Sequence, residues 1–353
     1  MNKYSDTFWQ GKKIFLTGHT GFKGSWMSIW LNHLGAEVKG YSLEPISKQN
    51  LYDIARIGTI VDSEINDIRD FDSLHASIKS FQPEIVIHMA AQPLVLTSYK
   101  DPIETYDVNV MGTVNLLEAS RFCESIKVIL NITTDKCYEN VNKDEGYSES
   151  DPMGGHDPYS SSKGCAELVI SSYRRSFFER NSVGIASVRA GNVIGGGDWS
   201  NDRLIPDVLK SFENNEELII RNPKSIRPWQ HVIEPLAGYI ELSEKLYLNT
   251  KKYSSGWNFG PYSEDVKTVE WIVKKIANSW PKASWKINEN KNFHEAQILK
   301  LEIQKALEHL DWKPKLNINT AIEKTINWHK DWLSGYDMQK KCLDEIKDYI
   351  NIQ

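Results

Sequence analysis

Residues 13–24 of the chain read KIFLTGHTGFKG, a short apolar run followed by three glycines with the spacing G-x-x-G-x-x-G. The run 13–17 predicts a buried strand, and residues 25–34, with apolar side chains at helical spacing, predict a helix after the glycines. Glycine lets the chain turn sharply here and lets its backbone approach a pyrophosphate, which N–H groups at the helix start can hold. The stretch therefore predicts a dinucleotide-binding loop.

The alternation of strands and helices continues as far as residue 190. The pattern predicts further strands over 37–43, 84–90, 127–133 and 184–190, and helices over 107–122 and 160–180. Continuous apolar strands that alternate with helices indicate a parallel sheet covered on both faces. We therefore expect an α/β protein with a Rossmann-type, doubly wound parallel sheet.

The pattern changes after residue 190. Residues 191–198 hold four glycines, and the sequence beyond them has scattered Trp and Pro residues and no second regular strand–helix series. We predict a dinucleotide-binding domain over 1–190 and a smaller mixed substrate domain over 191–353, with some later segments returning to the first domain. A final helix, over 338–350, has one apolar face that could dock on its own chain or on a partner; its own chain is favoured.

Composition and charge exclude several classes of protein. The 353 residues are 40% hydrophobic and 25% charged, and 42 Lys+Arg against 47 Asp+Glu give a net charge of −5. Such a chain lacks the basic face that nucleic acids or anionic membranes require. It also lacks an apolar run near the ~20 residues of a membrane span, a signal-peptide core and paired cysteine spacing. We expect a cytoplasmic protein that binds neither nucleic acid nor membrane.

The glycine loop supplies the first candidate cofactor contacts, Gly18, His19, Gly21, Phe22, Lys23 and Gly24. The acidic residue that usually holds the ribose hydroxyls is not evident, because residues 38–43 contain none before Glu44. No arginine is present there to favour a 2′-phosphate, so we expect NAD and not NADP. Asp67 and Ile68 could meet the adenine or could equally form a surface loop.

Tyr159 and Lys163 form the first candidate catalytic pair. They are four residues apart at the start of a predicted helix, so their side chains share one face. A lysine cation beside a phenol favours the phenolate and lowers its pKa, which produces a base that works near neutral pH. Thr134 and Asp135 follow the strand 127–133, and ligands bind at the carboxyl ends of parallel strands. These four residues predict a catalytic site beside the dinucleotide.

Two histidines invite a metal or acid–base interpretation. Neither His88 nor His231 has a second ligand at a metal spacing such as H-x-x-x-H. We therefore expect buried histidines with satisfied hydrogen bonds, and no metal site.

Six blocks of sequence carry a wider resemblance. They read TGHTGFKGSW over 17–26, AAQPLV over 90–95, TDKCYEN over 134–140, DPY with Lys163 over 157–163, RAGNVIGGGDW over 189–199 and RPWQHV over 227–232. In these blocks the chain resembles the extended short-chain dehydrogenase/reductases, above all the NAD-dependent sugar-nucleotide dehydratases that act on CDP-glucose. The blocks cover most of the chain, although the sequence after about 265 adds little.

The resemblance implies a hydro-lyase that forms a 4-keto-6-deoxy sugar. Tyr159, assisted by Lys163 and Thr134, would remove the proton of the sugar 4-hydroxyl while a hydride leaves C4 for the nicotinamide. The proton at C5 and the 6-hydroxyl would then leave as water, and the hydride would return to C6. The 191–353 domain would bind the sugar nucleotide.

The elimination step would use the residues after Thr134. Asp135 is the implied acid for the departing 6-hydroxyl. Lys136 occupies a position at which many related dehydratases have glutamate, so its part in the elimination stays open. Glu139 could substitute as the base for C5 but is better interpreted as a structural carboxylate.

The resemblance also implies the binding residues. Ala90 and Ala91 would contact the cofactor, as would Tyr159 and Lys163. The substrate contacts would come from Gln92, Asn192, Arg203, Arg221, Arg227 and His231. It further implies a homodimer formed through helices beside the active site and a place in deoxysugar biosynthesis, such as that of O-antigen.

Three alternatives remain at this point. The chain could be an epimerase or reductase of the same superfamily, which would need no acid for a departing hydroxyl. It could be a dehydratase for another sugar nucleotide. A dinucleotide sensor without catalytic activity is less consistent with the presence of Thr134, Asp135, Tyr159 and Lys163 together.

Overall fold

The computed structural model describes residues 6–179, 182–288 and 296–352. The strands are β1 (Lys13–Thr17), β2 (Glu37–Ser42), β3 (Asp62–Ile65), β4 (Ile85–His88), β5 (Val128–Ile132), β6 (Gly184–Ala190), β7 (Val193–Ile194), β8 (Glu217–Ile220), β9 (Ile226–Arg227), β10 (Gln230–His231), β11 (Gly256–Phe259), β12 (Lys267–Thr268) and β13 (Ser284–Ile287). The α-helices are α1 (Asp6–Trp9), α2 (Phe22–His33), α3 (Leu51–Ile54), α4 (Phe71–Phe81), α5 (Val95–Lys100), α6 (Pro102–Tyr106), α7 (Gly112–Arg121), α8 (Pro158–Tyr173), α9 (Leu204–Glu213), α10 (Ile233–Leu248), α11 (Thr250–Tyr253), α12 (Val269–Ala277), α13 (Gln304–His309), α14 (Ile318–Leu333) and α15 (Met338–Asn351).

Seven strands form one parallel sheet in the order β3-β2-β1-β4-β5-β6-β11. The first six follow the order of a dinucleotide-binding fold, in which the strand order reverses between β1 and β4. At the end of β1, Thr17 lies opposite Tyr41 of β2 and His88 of β4. The predicted α/β fold with a Rossmann-type parallel sheet is confirmed.

The central strands are buried because helices cover both faces of the sheet. Every residue of β4, β5 and β6 is buried. Successive side chains of a strand point to opposite faces, so in β1 Ile14 and Leu16 join the apolar cluster that includes residues of α2, α10 and α15. Phe15 joins the cluster on the other face, with residues of α4, α7 and α8.

Later segments of the chain contact this sheet. Strand β11 pairs with β6, and α15 packs against α2 through the Tyr349 and Trp30 rings, whose centroids are 6.0 Å apart. Residues of α9, α12 and α14 form a third apolar cluster with β8. The domain division at residue 190 stays a prediction.

Across the described ranges, no helix combines the length and the apolar character needed to cross a bilayer.

Candidate active site

A cavity of about 330 Å³ lies where β4, β5 and β6 end. Its lining includes all five predicted catalytic residues, Thr134, Asp135, Lys136, Tyr159 and Lys163. It also includes four of the predicted substrate residues, Asn192, Arg203, Arg221 and Arg227. Lys23 of the glycine loop and Ala91 reach the same space. The fold therefore gathers most of the predicted polar site around one cavity.

The glycine loop makes close backbone contacts that only glycine permits. Gly18 has a φ of +76°, and a Cβ there would lie 2.7 Å from the backbone nitrogen of Ala90. A Cβ on Gly24 would lie 2.7 Å from the carbonyl carbon of Gly18. Both distances are too short for an L side chain, so the glycines let β1, α2 and the end of β4 meet closely.

The start of α2 fits a pyrophosphate. Gly21 is the N-cap residue of α2, and it has no side chain that could accept a hydrogen bond from the first turn. The first N–H groups of an α-helix lack intrahelical partners and attract anions. A dinucleotide phosphate placed at the first turn would satisfy them, so the residues present fit the predicted cofactor.

The side chain of His19 lies beneath the loop and does not project from it. Its ring packs over Gly40, where a Cβ would lie 2.6 Å from Nδ1, and its Nε2 is 2.7 Å from the hydroxyl of Ser63. Burial lowers the pKa of His19 to about 4. The imidazole is therefore neutral and packed between strands, and the loop presents the backbone of His19.

Lys23, at the start of α2, lines the cavity, and Phe22 is not among the lining residues of the described chain. Burial, with the charges of Arg203 and Lys163, lowers the pKa of Lys23 to about 7. The ring of Phe22 packs close to Gly195, where a Cβ would lie 3.3 Å from Cζ. Lys23 thus adds a readily neutralised amine to the site.

Asp67 and Ile68, the predicted adenine contacts, both interact with other residues of the chain. Arg69 forms an ion pair with Asp67, with 2.6 Å between Nη2 and Oδ2, and this contact lowers the pKa of Asp67. The side chain of Ile68 is 5% exposed and packs against Gly112. The side chain of Ile68 thus belongs to the apolar core, and the contact of residues 67 and 68 with the adenine stays a prediction.

Two predicted substrate contacts lie away from the cavity lining that the structure describes. The amide of Gln92 shapes its own loop, since Oε1 accepts from the N–H of Leu94 at 2.7 Å and Nε2 donates to Thr105 at 2.9 Å. The fully buried ring of His231 has Nε2 3.7 Å from Glu345 Oε2, and burial lowers its pKa to about 3. The fully buried ring of His231 serves packing, which corrects its predicted contact with substrate, whereas the contact predicted for Gln92 stays a prediction.

His88 occupies the kind of buried position that the sequence suggests. Nδ1 is 2.8 Å from the hydroxyl of Thr17, and Nε2 is 3.2 Å from the hydroxyl of Thr113. Burial lowers the pKa of His88 to about 3, so the ring is neutral. In the part of the chain that the structure describes, no group of three His, Cys, Asp or Glu side chains is arranged to hold a metal ion.

Asp135 has the electrostatics of an acid. Its side chain lies in a 3₁₀ turn over Asp135–Cys137 and is 2% exposed. Burial raises its pKa to about 6 against the opposing charges of Lys136 and Arg227. The hydroxyl of Thr134 is 3.0 Å from Oδ1, and among the described residues Oδ2 has no hydrogen-bond partner. A carboxyl group in this setting can hold a proton near neutral pH.

The Tyr159 and Lys163 pair lies in the first two turns of α8. Asp157 caps this helix through the N–H of Ser160 at 2.9 Å. Burial raises the pKa of Tyr159 to about 12, although a hydrogen bond with Thr134 opposes the shift, and burial lowers the pKa of Lys163 to about 8. The expected lowering of the phenol pKa is therefore wrong for the protein alone, because desolvation of the phenolate outweighs the neighbouring charges.

Sequence reasoning missed the buried ion pair beneath this cavity. Glu167 and Arg189 are 2.7 Å apart between Oε2 and Nη2, and both side chains are almost fully buried. Glu167 lies four residues after Lys163 on the same helix, so the spacing Tyr159, Lys163, Glu167 was available as a signal.

Comparison with known proteins places the chain in a family. The family model described as GDP-mannose 4,6 dehydratase matches residues 15–325. A curated CDP-glucose 4,6-dehydratase of Salmonella typhimurium is 56% identical over 98% of this chain and 98% of its own. A CDP-paratose 2-epimerase of Salmonella typhi is 24% identical over 90% of this chain and 98% of its own.

Solved structures show the same fold at low identity. A dTDP-glucose 4,6-dehydratase from Bacillus anthracis, determined in complex with NAD, is 20% identical with a TM-score of 0.75, covering 93% of this chain and 100% of its own. A UDP-glucose 4-epimerase from Thermotoga maritima, with UDP-glucose, is 21% identical with a TM-score of 0.77, covering 91% and 99%. The resemblance drawn from the sequence blocks is confirmed, and the chain belongs to the GDP-mannose 4,6 dehydratase family.

Proposed function

We propose that this protein is an NAD-dependent hydro-lyase that converts CDP-D-glucose into CDP-4-keto-6-deoxy-D-glucose and water. The observation that carries the proposal is one cavity lined by a tyrosine–lysine pair and by a buried carboxyl group whose pKa is raised to about 6. The choice of CDP-glucose is supported by the Salmonella typhimurium relative, which is 56% identical.

Oxidation at C4 requires removal of the 4-hydroxyl proton. NAD, when bound at the glycine loop, supplies the acceptor that takes a hydride from C4 and later returns it to C6. We propose that Tyr159 accepts the hydroxyl proton, which is supported by its hydrogen bond with Thr134 in the cavity. Because burial raises the pKa of the phenol to about 12, proton transfer relies on positive charge nearby; Arg203 opposes the shift, and Lys163 lines the same cavity.

Elimination of water requires an acid at the 6-hydroxyl and a base at C5. Asp135 can donate the proton, since its buried carboxyl keeps a pKa of about 6. Lys136 lines the cavity directly after it. We propose Lys136 as part of the elimination machinery, with a neutral amine needed if it takes the C5 proton. An epimerase would have no use for this acid.

The remaining cationic residues suit a nucleoside diphosphate. Arg227 is 3% exposed and its charge acts on Asp135, so its guanidinium is close to the reacting end of the cavity. We propose that Arg227 and Asn192 hold the diphosphate, to which an arginine can donate two parallel hydrogen bonds. Arg203, whose Nη1 is 3.2 Å from Oδ2 of Asp198, and Arg221 also line the cavity, and we propose that they contact the nucleoside.

We also propose a homodimer, acting in the cytoplasm in deoxysugar biosynthesis such as that of O-antigen. Helices α6 and α8 lie side by side near the cavity and present exposed apolar side chains, which in a soluble protein often mark an interface. These side chains are Ile103, Tyr106, Leu168 and, just beyond the two helices, Met111 and Phe177. Light scattering tests the dimer, and a monomer would contradict it.

The reaction is tested by incubating the pure protein with NAD and, in separate tubes, CDP-, dTDP-, UDP- and GDP-glucose. Mass spectrometry of the products should show loss of one water from the CDP sugar. Loss from another sugar nucleotide alone would keep the reaction and correct the substrate. Unchanged mass in every tube would contradict the dehydratase and leave the epimerase alternative.

A further inference from the structure

The segment between β5 and Tyr138 carries Thr134, Asp135 and Lys136 and is held at both ends by one buried ion pair. At its start, the hydroxyl of Thr133 donates to Oε1 of Glu167 at 2.5 Å. At its end, Nη1 of Arg189 donates to the hydroxyl of Tyr138 at 2.6 Å. The three cavity-lining residues 134–136 therefore lie between two hydrogen bonds, one at Thr133 and one at Tyr138, and both bonds lead to the Glu167–Arg189 ion pair.

The ion pair is fully hydrogen-bonded. Oε1 of Glu167 also accepts from Nε of Arg189 at 2.9 Å, and Oε2 accepts from Nη2 of Arg189 and from the hydroxyl of Ser187, both at 2.7 Å. Gly256 leaves room for the guanidinium, since a Cβ there would lie 2.6 Å from Nη2. A buried pair of this kind is rigid because both charges lose their other partners if it opens.

The pair also connects the two halves of the catalytic site. Glu167 lies on α8, which carries Tyr159 and Lys163 on the same face, and Arg189 lies on β6. The charge of Glu167 raises the pKa of Lys163 against the larger effect of burial. The segment that carries Asp135 and helix α8, which carries Tyr159, are thus joined through the carboxylate of Glu167.

We infer that Glu167 and Arg189 are positioning residues, which set the distance between the segment 134–136 and the helix that carries Tyr159. The inference rests on the proposed function for its catalytic consequence. Neither residue needs to contact substrate. Their action passes through the hydroxyls of Thr133 and Tyr138, and these two contacts can be removed without leaving a buried charge unpaired.

The test uses Thr133→Val and Tyr138→Phe in the full chain, with Ser187→Ala as the matched control. Ser187 donates to the same carboxylate but lies on β6, outside the catalytic segment. We expect kcat for dehydration to fall about 10- to 100-fold in the two anchor variants with KM unchanged, since small misplacement of catalytic groups has effects of this size. The control should keep the parent kcat.

Hydrogen exchange supplies a readout that needs no activity. Peptides over 133–138 should exchange faster in both anchor variants and at the parent rate in Ser187→Ala. Parent-like exchange and kcat in the anchor variants, or an equal change in the control, would overturn the inference. If the parent protein dehydrates no sugar nucleotide, the proposed function fails while the exchange rates still decide whether the ion pair holds the segment.

Discussion

The hydroxyl of Thr134 lies 3.0 Å from Oδ1 of Asp135, and Oδ2 of the same carboxyl faces Gly191, where a Cβ would lie 3.1 Å away. This arrangement leaves one buried carboxyl oxygen, Oδ2, without a hydrogen-bond partner among the described residues. A proton on that oxygen would be available to a leaving hydroxyl. In the proposed mechanism, Thr134 would orient the acid and Asp135 would donate the proton.

Replacing the acid should separate oxidation from elimination. In Asp135→Asn the amide keeps the shape of the side chain but cannot deliver the proton, so we expect dehydration to slow about 100- to 10,000-fold. Run in deuterium oxide, the variant should return CDP-glucose that carries deuterium at C5 without loss of water. Dehydration at the parent rate would place the acid elsewhere.

Tyr159→Phe should stop the reaction before C4 is oxidised. Without the phenol hydroxyl no group takes the 4-hydroxyl proton, and we expect a loss of about 100- to 10,000-fold in kcat. Neither water loss nor C5 deuteration should occur. Calorimetric titration with NAD should give the parent affinity, and parent activity in this variant would remove Tyr159 from the mechanism.

The pH dependence of elimination should follow Asp135. Its pKa is raised to about 6, and the protonated form is the active one, so the rate should fall as pH rises through about 6. The measurement is the rate of water loss by the parent divided by that of Asp135→Asn, from pH 5 to 9 at saturating substrate, because Tyr159 and Lys136 contribute to both rates. A ratio that does not fall as pH rises through about 6 would contradict this role for Asp135.

The glycine loop gives a stability prediction with its own control. A methyl group in Gly24→Ala would meet the backbone of Gly18 and His19, which cannot move aside freely. We expect the free energy of unfolding to fall by about 1–3 kcal/mol, as in other overpacked sites. In Gly21→Ala the nearest atom is 3.4 Å from the new Cβ, an ordinary contact. Urea unfolding of both should therefore show a large loss only for Gly24→Ala.

A buried carboxyl on α15 predicts how stability changes with pH. Burial raises the pKa of Glu345 to about 7, with Lys324 and Lys341 opposing the shift. Because the folded protein holds this proton more tightly than the unfolded chain, the stabilisation is complete below about pH 4.5 and is lost as pH rises through about 7. The free energy of unfolding of Glu345→Gln should change with pH over this range by about 1–3 kcal/mol less than that of the parent. Equal slopes in parent and variant would contradict the assignment.

Strands with strong apolar character were predictable, and short polar ones were not. The predicted strand 184–190 is β6 itself, whose seven residues are all buried. Strand β3 reads DSEI at one edge of the sheet, and β11 reads GWNF at the other edge, directly after helices α10 and α11. Neither has the length or alternation that marks a strand, and both form because a neighbouring strand offers its free edge.

The cavity residues were predictable where a sequence motif lies directly beside a predictable strand or helix. Residues 134–136 and the Tyr159–Lys163 pair line the cavity because they follow β5 and begin α8. The burial of His231 was expected from the sequence, but the absence of a hydrogen-bond partner for its Nε2 among the described residues was not, since that depends on which later helix packs against the ring. The raised pKa of Tyr159 also depends on burial, which spacing alone does not reveal.

The most direct test of the central claim uses CDP-D-glucose deuterated at C4, incubated with the protein and NAD and weighed by mass spectrometry. The account predicts a product that has lost one water and kept the deuterium, now bonded to C6, because the hydride returns within the same site. A product that has lost water without deuterium, or a sugar nucleotide of unchanged mass, would contradict it.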